Sequence, residues 1–133
     1  MLAELPDTAI DSFLALTGPG SHSSLLMAEL RQLGGALGRP HDGAGALPML
    51  EGPFALFAAA IAATPELGAQ GHADATALVD ALSPYATGRQ YLNLAENPVE
   101  MSESFAPDTW TQLKETRAAI DPDDLFVANH AVR

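Results

Sequence analysis

Apolar residues along this chain fall into short periodic runs separated by glycine and proline, and each run predicts one element. Pro6-Asp7-Thr8 opens the first. Proline costs nothing at a helix start, because the first amides have no intrahelical partner. Ile10, Phe13, Leu14 and Thr17 follow at i, i+3, i+4 and i+7, one stripe of a short helix that ends at Gly18-Pro19-Gly20. Ser23 to Leu33 alternates as a strand does, with Leu26, Ala28 and Leu30 on one face and Leu25, Met27, Glu29 and Arg31 on the other. The same residues are good helix formers, so helix competes, and the stop at Gly34-Gly35 fits both. Glycines and prolines then interrupt the chain as far as Gly52, which predicts a loop.

Phe54 to Ala63 keeps helical spacing at Phe54, Phe57, Ala58 and Ile61, and its alanines favour helix. Its length and its place between glycine-rich turns equally allow a buried strand, and periodicity leaves the choice open. A second helix is predicted over Asp74 to Tyr85, with Ala73, Ala77, Leu78 and either Leu82 or Ala81 inward. Arg89 to Leu94 predicts a short strand, Tyr91 and Asn93 on one side and Leu92 and Leu94 on the other. A third helix carries Trp110, Leu113, Lys114, Arg117 and Ile120 and stops at Asp121-Pro122, because proline disfavours helical geometry in the residue before it. Beyond it, Leu125, Phe126 and Val127 are expected to dock on the core. With Phe54 to Ala63 counted as a strand, the order helix-strand-strand-helix-strand-helix predicts an α+β fold, an antiparallel sheet with helices packed on one face.

The 133 residues amount to a single domain over 1–133. Hydrophobic residues at 47% against 17% charged are a globular composition. Seventeen acidic and six basic side chains leave a net charge of −11, which repels phosphate backbones and anionic lipid and so argues against nucleic-acid and membrane partners. The absence of cysteine excludes disulfides, thiol catalysis and zinc-thiolate sites. The acidic start, Met1 to Asp7, lacks the basic region of a signal peptide. The longest apolar run, Pro53 to Ala63, falls short of the ~20 residues a membrane span needs. A cytoplasmic protein is the expectation.

Few residues carry chemistry by their pattern. His22, His41, His72 and His130 show no metal-ligand spacing and read as surface histidines, so no metal site is expected. Asp121-Pro122-Asp123-Asp124 lacks the glycine and glutamate of a calcium loop and reads as helix-stop acids. Ser21, Ser23 and Ser24 have no nucleophile-elbow context, and Gly18-Pro19-Gly20 has no phosphate-binding lysine after it. Glu29 and Arg31 read as a solvated strand edge with a cross-strand pair. Tyr91 and Asn93 share a predicted strand face, both with hydrogen-bonding tips. No catalytic residue emerges.

Three motifs in order add a resemblance. Glu29-Leu30-Arg31-Gln32-Leu33-Gly34-Gly35-Ala36, Tyr91-Leu92-Asn93, and the run from Ile120-Asp121-Pro122 through Phe126 to Asn129-His130 resemble the C-terminal half of the berberine bridge enzyme-like FAD-linked oxidases. The resemblance covers about Leu5 to Arg133. It implies an antiparallel sheet over the isoalloxazine face, helices behind it, a pocket for a small-molecule substrate, and a partner FAD-binding domain that holds the cofactor. Asn93 would approach the flavin, its amide able to donate and accept, with Tyr91 beside it. The D-P segment and Phe126 would form a packing clasp.

Departures from the family pattern are specific. The flavin-binding half, its glycine-rich phosphate segment and its flavin-linking histidine are missing from these residues. Where many plant members carry a second tyrosine as base, this chain has Leu94, and Ala46-Leu47-Pro48-Met49-Leu50 stands where bacterial members carry histidine and arginine. The expectation is therefore the substrate-binding portion of an FAD-dependent oxidoreductase, inactive and without FAD on its own. The alternative is a non-enzymatic small-molecule-binding or dimerisation module of the same fold. With one sheet face uncovered, a homodimer through Leu25, Met27, Tyr91 and part of Phe54 to Ile61 is also expected.

Overall fold

The computed structural model describes residues 1–132. Its elements are α1 (Asp7–Thr17), β1 (Leu25–Gln32), β2 (Phe54–Ala60), α2 (Pro65–Leu82) and α3 (Pro107–Ile120), with short 3-10 turns between them. β1 and β2 form a two-stranded antiparallel sheet, and α2 packs on both strands and on α1. This is an α+β fold with α1 and α2 over one sheet face. The core is Leu2, Ala9, Leu78 and Leu82, bordered by Phe13, Leu25, Ala28, Leu30 and Leu56.

Phe54–Ala60 resolves as strand. Its register runs from Leu25 opposite Ala60 to Gln32 opposite Phe54, with a bulge between Leu25 and Met27. A bulge puts two residues against one and so reverses the alternation beyond it. Leu25 therefore turns inward with Ala28 and Leu30, while Leu26 is 69% exposed, which corrects the predicted faces. The other face carries Met27, Glu29 and Arg31 in register with Ala59, Phe57 and Ala55; it is open along β1, whereas Ala55 on β2 is buried.

The second helix begins nine residues before its predicted start. Thr64 caps it, its hydroxyl accepting from the Leu67 amide at 3.3 Å, and Pro65 takes the first turn. Gly68 and Gly71 weaken the helical signal there, but Gly71 is needed for close packing on Ala60. Leu78 and Leu82 are buried as expected; Ala73 and Ala77 are exposed. The helix ends at Leu82, and Ser83–Tyr85 tightens to a 3-10 turn.

The predicted strand Arg89 to Leu94 is absent. In its place Leu92–Leu94 forms a 3-10 turn. A strand needs a backbone partner, and at the nearby end of β2 that place is taken by Leu2, which bridges to Phe54 on one side and Ala86 on the other. Gly88, at φ +77, redirects the chain just after this bridge. The C-terminal apolar residues also depart from expectation: Leu125, Phe126 and Val127 are exposed rather than docked. Asp121, itself buried, instead anchors their backbone, accepting from the Leu125 amide at 2.8 Å and the Phe126 amide at 3.0 Å. No helix among the described residues is long and apolar enough to cross a membrane.

Candidate functional site

A groove of about 440 Å³ lies between β2, α2 and the segment that follows α2. Leu2, Phe57, Val79, Leu82, Tyr91 and Leu94 are among its lining residues, and the lining is largely apolar. β2 places Phe57, successive turns of α2 place Val79 and Leu82, and the Leu2 bridge holds the end of the groove together. This is the composition of a small-molecule pocket, apolar with few polar groups.

The two candidate cofactor contacts part company here. Tyr91 is half-buried in the groove wall, whereas Asn93, two residues on in the 3-10 turn, is exposed and outside the lining. The shared strand face predicted for them does not exist, because a 3-10 turn rotates each residue by about a third of a circle rather than half. Leu94 returns to the groove as a lining residue and offers no group to accept a proton.

Arg89 lines the groove, but its guanidinium is committed to partners in neighbouring loops. Its Nε donates to Glu51 Oε2 at 3.1 Å, and its Nη1 donates to the Glu103 and Phe105 carbonyls. Arg89 thus ties three loops together. The Met1 amine donates to the Arg89 carbonyl at 3.0 Å, and burial lowers its pKa. Sequence pattern pointed to neither contact, since nothing in the spacing of Met1, Glu51, Arg89 and Glu103 joins them.

The C-terminal motif reaches the site by a different residue than expected. His130 is not a surface histidine: its Nε2 lies 2.8 Å from the Ala95 carbonyl, and its Nδ1 is buried without a partner. A carbonyl only accepts, so Nε2 carries the proton. Asn129 Nδ2 also donates to Ala95, at 3.5 Å. The end of the chain therefore holds the Tyr91 to Ala95 segment from outside. Behind it, Arg117 pairs with Asp121 and Asp124, and the Asp121 carboxyl is held below its ordinary pKa by the Phe126 and Leu125 amides and by Arg117. Of the D-P acids, Asp121 is the C-cap of α3 and accepts the Leu125 and Phe126 amides beyond it, while Asp124 pairs with Arg117.

Glu29 and Arg31 pair within one strand rather than across two, on the open sheet face. His22, His41 and His72 are exposed. No group of three or more His, Asp or Glu side chains among the described residues could hold a metal ion. No protein-family model matches the chain, and no curated protein matches it.

Proposed function

We propose that this chain is the substrate-binding portion of a berberine bridge enzyme-like, FAD-dependent oxidoreductase acting in the cytoplasm, with the groove as its small-molecule pocket. The observation that supports this most is the placement of Tyr91-Leu92-Asn93. Tyr91 stands in the groove wall, while Asn93 projects from the same turn into solvent, with its amide free for a partner. The residues fit only the polar edge of a flavin ring. Among the described residues no helix begins in a glycine-rich turn for its pyrophosphate, and Gly35–Gly38 forms one 3-10 turn that leads into no helix. FAD would thus be held by a separate domain and supply the hydride acceptor. This chain's part is to bind and orient the substrate on an apolar wall, to exclude water from it, and to offer Asn93 to the ring edge. With Leu94 in the family's tyrosine position, that position supplies no proton acceptor.

The alternative, a non-enzymatic small-molecule-binding or dimerisation module, draws support from the groove itself, whose lining is largely apolar. The discriminating experiment joins the chain to a flavin-binding domain encoded in frame upstream of Met1. The oxidase reading predicts substrate-dependent oxygen uptake that N93A weakens through the flavin and that a bulky residue at Val79 weakens through KM. A frame holding no such domain, or a joined protein whose flavin is unaffected by N93A, overturns it.

A further inference from the structure

β1 has a partner on one side only. The Leu33 amide donates to the Pro53 carbonyl at 2.8 Å, and Phe54 exchanges bonds with Leu2 on the far side of β2, at 2.8 and 3.4 Å. Hydrogen-bonding direction alternates along an antiparallel ladder. Counting back from Leu33 in the observed register, Ala28, Leu30 and Gln32 direct their amides and carbonyls away from β2. No strand pairs with that edge among the described residues. Edges of this kind are templates for further pairing unless the side chains forbid it.

We propose that this edge pairs antiparallel with the same edge of a second copy of the chain, about a twofold axis at Leu30, joining two two-stranded sheets into one of four strands. The proposal goes beyond the oxidase reading and does not rest on it. Register and charge carry it together. With Leu30 against Leu30, Ala28 meets Gln32 in hydrogen-bonded pairs, and Glu29 of one copy meets Arg31 of the other, twice by symmetry, on the open face. Opposite charges directly across a ladder attract, and like charges repel. A twofold at residue 29 sets Glu29 against itself, and one at residue 31 does the same to Arg31. A twofold at Ala28 runs the pairing into the bulge at Leu25–Met27, which breaks the ladder. One register thus satisfies both the backbone and the charges. Leu14 of α1 and Leu26 of β1, 53% and 69% exposed, line a recess beside this edge and add apolar cover at each end of the joint.

The test uses charge exchange on the full chain, followed by sedimentation equilibrium across the micromolar range. The wild type is a dimer, and its Ala28, Leu30 and Gln32 amides gain protection from hydrogen exchange as concentration rises. E29R and R31E, each folded by circular dichroism, lose roughly tenfold or more in self-association, because each sets like charges across both symmetric pairs. An equimolar mixture of E29R and R31E dimerises again, since each chain then complements the other. E29R lowers the net negative charge, so a general charge effect would strengthen its association instead. A monomeric wild type, single variants that dimerise as tightly as wild type, or a mixture that stays monomeric each overturns the proposal.

Discussion

Gly71 of α2 sits so close to Ala60 of β2 that a Cβ on the glycine would lie 2.3 Å from the alanine Cβ. That contact sets the distance between the helix and the sheet, and with it one wall of the groove. Gly71→Ala gains about 1 kcal/mol of helix propensity, but the clash is with a side chain fixed to the strand. Overpacking of this kind costs about 1–3 kcal/mol. Gly71→Ala is therefore expected to lower stability in a denaturant melt, and Ala60→Gly in the same chain to relieve part of the loss. Gly68→Ala, whose Cβ would meet Ala62 at 3.2 Å, is the control and should be near neutral or stabilising.

Leu78 is fully buried between α1, α2 and the sheet. Leu78→Ala should cost about 2–5 kcal/mol, through lost burial and the cavity left behind. Arg31→Ala, measured at concentrations where the chain is monomeric so that only the exposed intrastrand pair is lost, should cost no more than about 1 kcal/mol. Comparing the two in one set of urea melts separates core from surface.

Stability should fall in acid. The Asp74 carboxylate accepts from Ser24 Oγ at 2.6 Å and the Ser24 amide at 2.7 Å, which joins α2 to the start of β1 and lowers the Asp74 pKa. Asp121 is lowered by the Phe126 and Leu125 amides and Arg117. Each folded-state pKa lies below the unfolded value of about 3.9. Their contribution is present above that value and is lost as pH falls through it toward the folded pKa. The melting temperature should be flat between about pH 5 and 7 and drop below about pH 4. Asp74→Asn and Asp121→Asn should each make the drop shallower.

What the sequence made readable, and what it hid, has a physical pattern. The existence of α1, the strand at β1, the stop at Asp121-Pro122 and the α+β class were readable, because each depends on residues within a few positions; the inward face of α1 was not, since Ala9, Phe13 and Leu16 meet the core while Ile10 and Leu14 of the expected stripe are exposed. The bulge at Leu25–Met27 was not, since a single extra residue leaves composition and spacing unchanged. The strand predicted at Arg89 to Leu94 failed for a non-local reason: Leu2, far away in sequence, occupies the neighbouring pairing site. The start of α2 was marked by Thr64-Pro65-Glu66, but two glycines obscured it. Of the two candidate site residues, only Tyr91 reaches the groove, and the part played by His130 depended on a contact with Ala95 that no spacing predicts.

The purified chain alone should be colourless. Tyr91 and Asn93 are the candidate flavin contacts the resemblance implies, and no helix among the described residues begins in a glycine-rich turn that could hold the pyrophosphate. Flavin absorbance near one equivalent per chain would show that FAD binds by a route other than the one argued.

We propose above that the groove belongs to a flavin enzyme. The most direct measurement tags the gene at its own locus, then determines the mass and flavin content of the purified native product. The account predicts a flavin-bearing product in which these residues are joined to, or copurify with, an FAD-binding domain. A product no heavier than this chain, free of flavin and of any flavin-bearing partner, would contradict it.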